Sequence, residues 1–127
     1  MLFRSTLEGH SSWVNAVAVL DSGRVVSGSG DGTLRVWDVE SGQVVQVFEG
    51  PWAEVCALGV LDAHLVVFGS YDRTLRVWDV ESGEVECLFS LDAPVTAVAV
   101  LPDSRKIVAG DSSGRVHFFD FVEPPPG

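Results

Sequence analysis

The chain has 127 residues, 46% of them hydrophobic, with 18 acidic against 8 basic side chains and a formal net charge of −10. Such a surface repels phosphate backbones, and no basic patch with interleaved aromatics relieves it, which argues against direct nucleic-acid binding. No apolar run approaches membrane-spanning length and Met1 to Thr6 holds no apolar signal-peptide core, so the expected location is cytoplasmic, or nuclear, if nothing precedes Met1.

Leu2 to Leu7 reads as a lone strand ahead of the first full set. Val14 to Leu20 is a nearly continuous apolar run, the pattern of a strand buried on both faces. Arg24 to Gly28 gives a second strand, Thr33 to Asp38 a third and Gln43 to Phe48 a fourth. In the third, Leu34 and Val36 point inward while Arg35 alternates outward, as Arg76 does one unit later. Asp21-Ser22-Gly23, Gly30-Asp31-Gly32 and Glu40-Ser41-Gly42 supply turn residues at the three joints. The unit is a four-stranded antiparallel meander, and it recurs. Thr33 to Gly42 is repeated letter for letter as Thr74 to Gly83, 41 positions on. The second unit takes Val55 to Leu61, His64 to Gly69, Thr74 to Asp79 and Glu84 to Phe89. The third takes Val95 to Leu101, Lys106 to Gly110 and Arg115 to Asp120, then stops one strand short. Its Phe119 stands 41 positions after Trp78, because a residue lost before its first strand is restored around Pro102 to Arg105. The domain reading is a repeat segment over 1–121, with repeats at about 7–48, 49–89 and 90–121 and residues 2–7 as an offset strand. A proline-rich tail occupies 122–127.

With Gly9-His10 before the first strand, Ser27 in the second, Asp31 in the tight turn and Trp37-Asp38 closing the third, the chain resembles the WD-40 repeat family of β-propellers. The resemblance covers roughly Leu7 to Phe121 and implies an all-β fold of propeller blades. Propellers close with about 4 to 8 blades, so three copies imply an incomplete ring. It also implies a hydrogen-bonded chain from Trp37 to Ser27, from Ser27 to His10 and from His10 to Asp31. In the second repeat Pro51 and Phe68 take the places of the histidine and serine, leaving Asp72 and Trp78 and making that blade the least settled of the three. In the third, Leu91, Ala109, Ser113 and Phe119 hold the four places.

A serine, a histidine and an aspartate in one repeat suggest a hydrolase triad, yet Ser27 lies in a plain strand with no nucleophile elbow around it. Gly28 to Gly32 joins two strands and lacks the lysine of a phosphate loop. His64 and His117 stand alone, and Cys56 and Cys87 read as buried free thiols. No enzymatic activity, cofactor or metal is expected from these residues.

In similar propellers, partners dock on the face that carries the loops before the first strands and the turns between second and third strands. Here those are Gly9 to Trp13, Gly50 to Glu54 and Ser90 to Pro94, with turns at Gly30, Tyr71 and Ser112. Trp13, Trp52, Glu54 and Tyr71 are the partner-binding candidates, while Trp13 and Trp52 read equally as caps folded over a blade. The resemblance implies a non-enzymatic scaffold for a protein or peptide partner. A second class stays open, a structural or self-assembling fragment completed by another copy or by parent-chain blades. Within the first class, the sharp repeat resembles the substrate-recognition propellers of F-box proteins. The worn last copy is similar to terminal blades of signalling NTPases with propeller sensors.

Overall fold

The computed structural model describes residues 6–51, 53–101 and 105–122. Every regular element among them is a strand. The first sheet runs in the order β1 (Val14–Asp21), β2 (Arg24–Ser29), β3 (Thr33–Asp38) and β4 (Val44–Glu49). The second runs β5 (Val55–Asp62), β6 (Leu65–Ser70), β7 (Thr74–Asp79) and β8 (Val85–Ser90). The third has three strands, β9 (Val95–Leu101), β10 (Lys106–Asp111) and β11 (Val116–Asp120). All pairings are antiparallel between chain neighbours, so each sheet is a meander built one turn at a time. The sheets are propeller blades in an open arc, with β1 against β5 and β5 against β9 along the inner edge.

The turn chemistry explains why the chain reverses where it does. Asp21 accepts from the Gly23 amide, Asp38 from the Glu40 amide and Asp79 from the Glu81 amide, each two residues on, which closes the joints locally. Gly42 and Gly83 follow with φ of 72° and 78°, the left-handed region that a side chain disfavours.

The cores lie between the blades. Leu20, Val26, Leu34 and Val36 of blade 1 pack on Val55, Leu58, Val66, Phe68 and Trp78 of blade 2. Ala57, Val67, Leu75 and Val77 on the other side of blade 2 pack on Val95, Ile107 and Ala109 of blade 3. Phe48 meets Trp78 across the first interface and Phe89 meets Phe119 across the second, each pair with ring centroids 5.4 Å apart. Blade 2 is therefore covered on both sides, which gives its β6 a fully buried pattern.

Several expectations need correction. β1 is buried on one face only, with Val17 and Val19 70% and 68% exposed, because among the described residues no blade packs on that face. Of the strand expected over 2–7, residues 2–5 lie outside the described residues, and Thr6 and Leu7 pair with no sheet. Trp52, residues 102–104 of the expected insertion and residues 123–127 of the tail also lie outside the described residues. Cys56 is half-buried but Cys87 is exposed, on the outermost strand of blade 2; both are free.

Arg73 has a φ of 73° where Gly32, one repeat earlier, has 83°. Its side chain is exposed, so the backbone strain is not offset by packing. Arg73→Gly is expected to raise stability by about 1 kcal/mol, read as a shifted urea midpoint; an unchanged or lowered midpoint contradicts the strain.

Candidate functional site

Two groupings of polar and aromatic side chains stand out, one inside blade 1 and one on its loop end. Inside the blade, β2 and β3 are in register so that Ser27 and Trp37 lie on the same face. The Trp37 indole N–H donates to Ser27 Oγ at 2.8 Å, and Ser27 Oγ lies 2.6 Å from His10 Nε2. With that partner the hydroxyl donates to Nε2, which leaves the proton on Nδ1, 3.2 Å from Asp31 Oδ2 and 3.1 Å from Thr33 Oγ1. Asp31 also accepts from the amides of Ser11 and Thr33 and from the Thr33 hydroxyl. The His10 and Asp31 side chains are 4% and 9% exposed. Burial by itself would raise the Asp31 carboxyl, but the hydrogen bonds from Thr33, Ser11 and His10 outweigh it and hold the group well below the usual carboxylate range. The chain runs from a core indole to a surface turn and pins the loop before β1 to the β2–β3 turn.

Blade 2 solves the same problem with other residues. Asp72 accepts from the Thr74 amide and hydroxyl, and Arg76 donates to both Asp72 and Thr74 Oγ1. Burial acts to raise the Asp72 carboxyl, and Thr74, Arg76 and Ser70 bring it below its ordinary value. Arg76 is thus turned back onto its own turn, so the blade expected to be least settled keeps its aspartate paired. What it loses is the acceptor for Trp78, whose buried indole nitrogen has no partner among the described residues. Arg35, half-buried rather than turned out, likewise has a buried Nε without a partner.

Blade 3 shifts its aspartate by two positions. Asp111 ends β10 where Ser29 and Ser70 end β2 and β6, and its Oδ1 accepts from the Ser113 amide and hydroxyl and the Arg115 amide. Its Oδ2 lies 2.8 Å from His117 Nε2, with the Asp111 side chain 1% exposed. His117 and then Ser113 lower the Asp111 carboxyl well below the usual range. His117 is therefore paired, and so is His64, 2.9 Å from Asp62. The signal for the first pair was the spacing of Asp111 and His117 on adjoining strands, obscured because the aspartate had moved out of the repeat's frame.

The second grouping is the loop face. The Gly30 amide donates to Trp13 O, the Tyr71 amide to Glu54 O and the Ser112 amide to Pro94 O, so one hydrogen bond recurs in all three blades and sets these loops on one end of the arc. On that end Trp13 is 83% and Tyr71 60% exposed. Glu54 is half-buried, its Oε1 accepting at 2.9 Å from Asn15 of blade 1. Asn15 also donates to Val55 O, which ties blade 1 to blade 2 beside Trp13. Burial, with the charges of Glu54 and Asp72, pushes the nearby Cys56 thiol up, so it is a poor nucleophile. Among the described residues no three metal-ligating side chains cluster. A cleft of about 510 Å3 opens on the opposite end, bounded by His64, Asp79, Glu84 and Phe121 between blades 2 and 3.

Trp37→Phe removes the hydrogen bond that Ser27 Oγ accepts and leaves that buried oxygen with His10 alone, whereas Trp78→Phe removes a donor that has no partner among the described residues. The first is expected to cost about 1–3 kcal/mol more than the second in urea unfolding; equal costs would remove the network's role. Asp31 and Asp111 have lower carboxyl pKa values folded than in the unfolded chain, at about 3.9. Their stabilisation is complete above that value and is lost as pH falls below it. The melting temperature is expected to hold from pH 7 to about 5 and drop below about pH 4. Asp31→Asn should lower it at pH 7 and flatten the acid fall, and a variant that tracks the parent at every pH counts against the assignment.

A family model of the TEP-1 C-terminal β-propeller matches residues 52–121, and a model of the WD domain, G-beta repeat, matches residues 2–38. WD repeat-containing protein RUP2 of Arabidopsis thaliana is 47% identical over 45 residues, 35% of this chain and 12% of that protein. The probable E3 ubiquitin ligase complex SCF subunit sconB of Talaromyces stipitatus is 49% identical over 45 residues, again 35% of this chain but 7% of the relative. The corresponding scon-2 subunit of Neurospora crassa is 44% identical over the same length and share. The chain aligns with 7% to 12% of the length of these curated relatives.

Proposed function

The chain belongs to the TEP-1 C-terminal β-propeller family and is built of WD repeats, and from that premise we propose that its loop face binds a peptide or protein segment, with no catalysis. The observation that carries this reading is the pair of exposed aromatics, Trp13 and Tyr71, held on one end of the arc by the same backbone hydrogen bond in successive blades. Aromatic side chains offer large contact area at little entropic cost, and they dominate interface energetics. The Glu54 carboxylate lies beside Ser12 and Gly30 next to Trp13, close enough that a side chain added at Gly30 would come within 3.1 Å of it. An apolar anchor flanked by a lysine or arginine suits that arrangement, and the net charge of −10 would speed its approach. The relatives named as ubiquitin ligase complex subunits support only the broader point, that repeats of this kind work inside multiprotein assemblies.

The test is selection of peptides from a displayed random library on the immobilised chain, followed by titration. Trp13→Ala and Tyr71→Ala are each expected to weaken the selected peptides at least tenfold while leaving the melting temperature unchanged, because both side chains are exposed. Peptides that bind both variants as well as the parent overturn the loop-face reading.

A further inference from the structure

The β2–β3, β6–β7 and β10–β11 turns occupy equivalent places in the three blades, and the middle one carries side chains that the outer two lack. Gly30, Tyr71 and Ser112 stand 41 residues apart, and so do Gly32, Arg73 and Gly114. Blade 2 thus sets a tyrosine and an arginine where its neighbours keep small residues. At the second of these places the backbone is left-handed in all three blades, with φ of 83°, 73° and 96°. Glycine adopts that region freely, whereas an arginine is strained there.

Among the described residues nothing offsets the strain at Arg73. Its amide donates to Ser70 O and its carbonyl accepts from the Leu91 amide, bonds that a glycine would make as well. Its side chain is exposed and forms no hydrogen bond or ion pair with the described residues. Asp72, next to it in the chain, is bonded to Thr74 and Arg76, and Asp92, next to Leu91, pairs with Arg115 at 3.4 Å. A strained residue that no packing or pairing requires points to a use for its side chain. Tyr71, two residues before it, is one of the two exposed aromatics of the loop face, and its amide is held by Glu54 O.

We propose that Arg73 is a specificity residue of this loop face and takes an acidic side chain, aspartate or glutamate, from a bound peptide segment. This role rests on the peptide-binding reading of the face and adds where the segment carries its acid. A guanidinium offers paired donors in a fixed fork that matches a carboxylate. The net charge of −10 repels acidic side chains in general, so an unpaired cation on the loop face marks a place where one is accepted. The opposite charge is fixed toward the other end of the arc: Glu54 is tied to Asn15 of blade 1, whereas the Arg73 carbonyl is bonded to the loop that leads into blade 3. A segment with its apolar anchor on Trp13 and its base at Glu54 therefore presents its acid on the blade 3 side of Tyr71. The order of charges sets the direction in which the segment lies, since the reversed segment would bring like charges together.

Peptides selected from a displayed random library on the full chain are expected to carry an aspartate or glutamate at a fixed spacing from their apolar anchor. A synthetic peptide of the selected sequence and its counterpart with Asn or Gln at that place, each titrated against the parent and against Arg73→Gly, complete a double-mutant cycle. The exchange of acid for amide is expected to weaken binding to the parent at least tenfold and to leave binding to Arg73→Gly unchanged. Because Arg73→Gly relieves the strained turn, its loss of affinity comes with a raised urea midpoint, which separates recognition from folding. Selected peptides with no recurring acid, or an exchange that costs the same against both chains, overturn the role of Arg73. Where such peptides still weaken on Trp13→Ala and Tyr71→Ala, the loop-face reading survives and the arginine's role alone falls; peptides indifferent to all three substitutions overturn both.

Discussion

A four-stranded blade has two apolar faces and no means of burying either by itself, and the rest of this structure follows from that constraint. Nearly all the fully buried large side chains, from Leu34 and Val36 through Phe68 and Trp78 to Ile107, sit at the two contacts between blades. Stability in such an array is a sum of local hairpins and nearest-neighbour interfaces, with little contribution from inside a single sheet. Blade 2 gains from two neighbours and blades 1 and 3 from one each. Strands of similar sequence are therefore more buried in the middle of the arc than at its end, as β5 and β1 demonstrate.

The polar networks serve a different purpose from the cores. They fix loops to turns at the end of each blade, and three different solutions do so in one chain. Blade 1 links an indole to an aspartate through a hydrogen-bonded serine and histidine; blade 2 folds an arginine back onto its aspartate; blade 3 moves the aspartate into the end of its second strand and meets a histidine. In each case the carboxylate is anchored by a hydroxyl two residues on, from Thr33, Thr74 or Ser113. The aspartate with its short turn is the common element, and the partner is exchangeable. Phe68 in the place of Ser27 shows why the exchange is tolerated: an apolar side chain against blade 1 fills the space the network would have used, and only the Trp78 indole nitrogen is left without its acceptor.

The positions of β1 to β11 were legible in the sequence to within a residue at either end, because the turn clusters and the alternation are local signals and the 41-residue period repeats them. Burial was legible only where it depended on the strand itself. The apolar run from Val14 to Leu20 is that of a strand covered on both sides, and the exposure of Val17 and Val19 depends on what precedes the blade in space. Pairings across strands were harder still. Asp111 and His117 were hidden because the aspartate had left its frame. The exposure of Trp13 separates a standing aromatic from a folded cap, and no pattern of letters distinguishes the two.

The three repeats differ in what they keep, and the physical reason orders the differences. The polar network is complete in one blade and rebuilt in two, while the glycine in the second strand stands in all three, at positions 28, 69 and 110. Replacing hydrogen-bonded partners with apolar groups can be close to neutral. A side chain at Gly28 or Gly69 would instead drive the neighbouring valine out of the interface, because a close-packed contact has no slack to absorb it. Among the described residues Gly110 faces no neighbouring blade, so that steric demand does not arise there. A glycine in a strand interior weakens the strand, and its presence is explained when another backbone or side chain must approach closely. At Gly110 the atoms nearest an added Cβ are Ala97 Cβ and the Arg115 carbonyl, at 3.9 and 4.0 Å, so the glycine there follows the repeat and not a close approach within the blade.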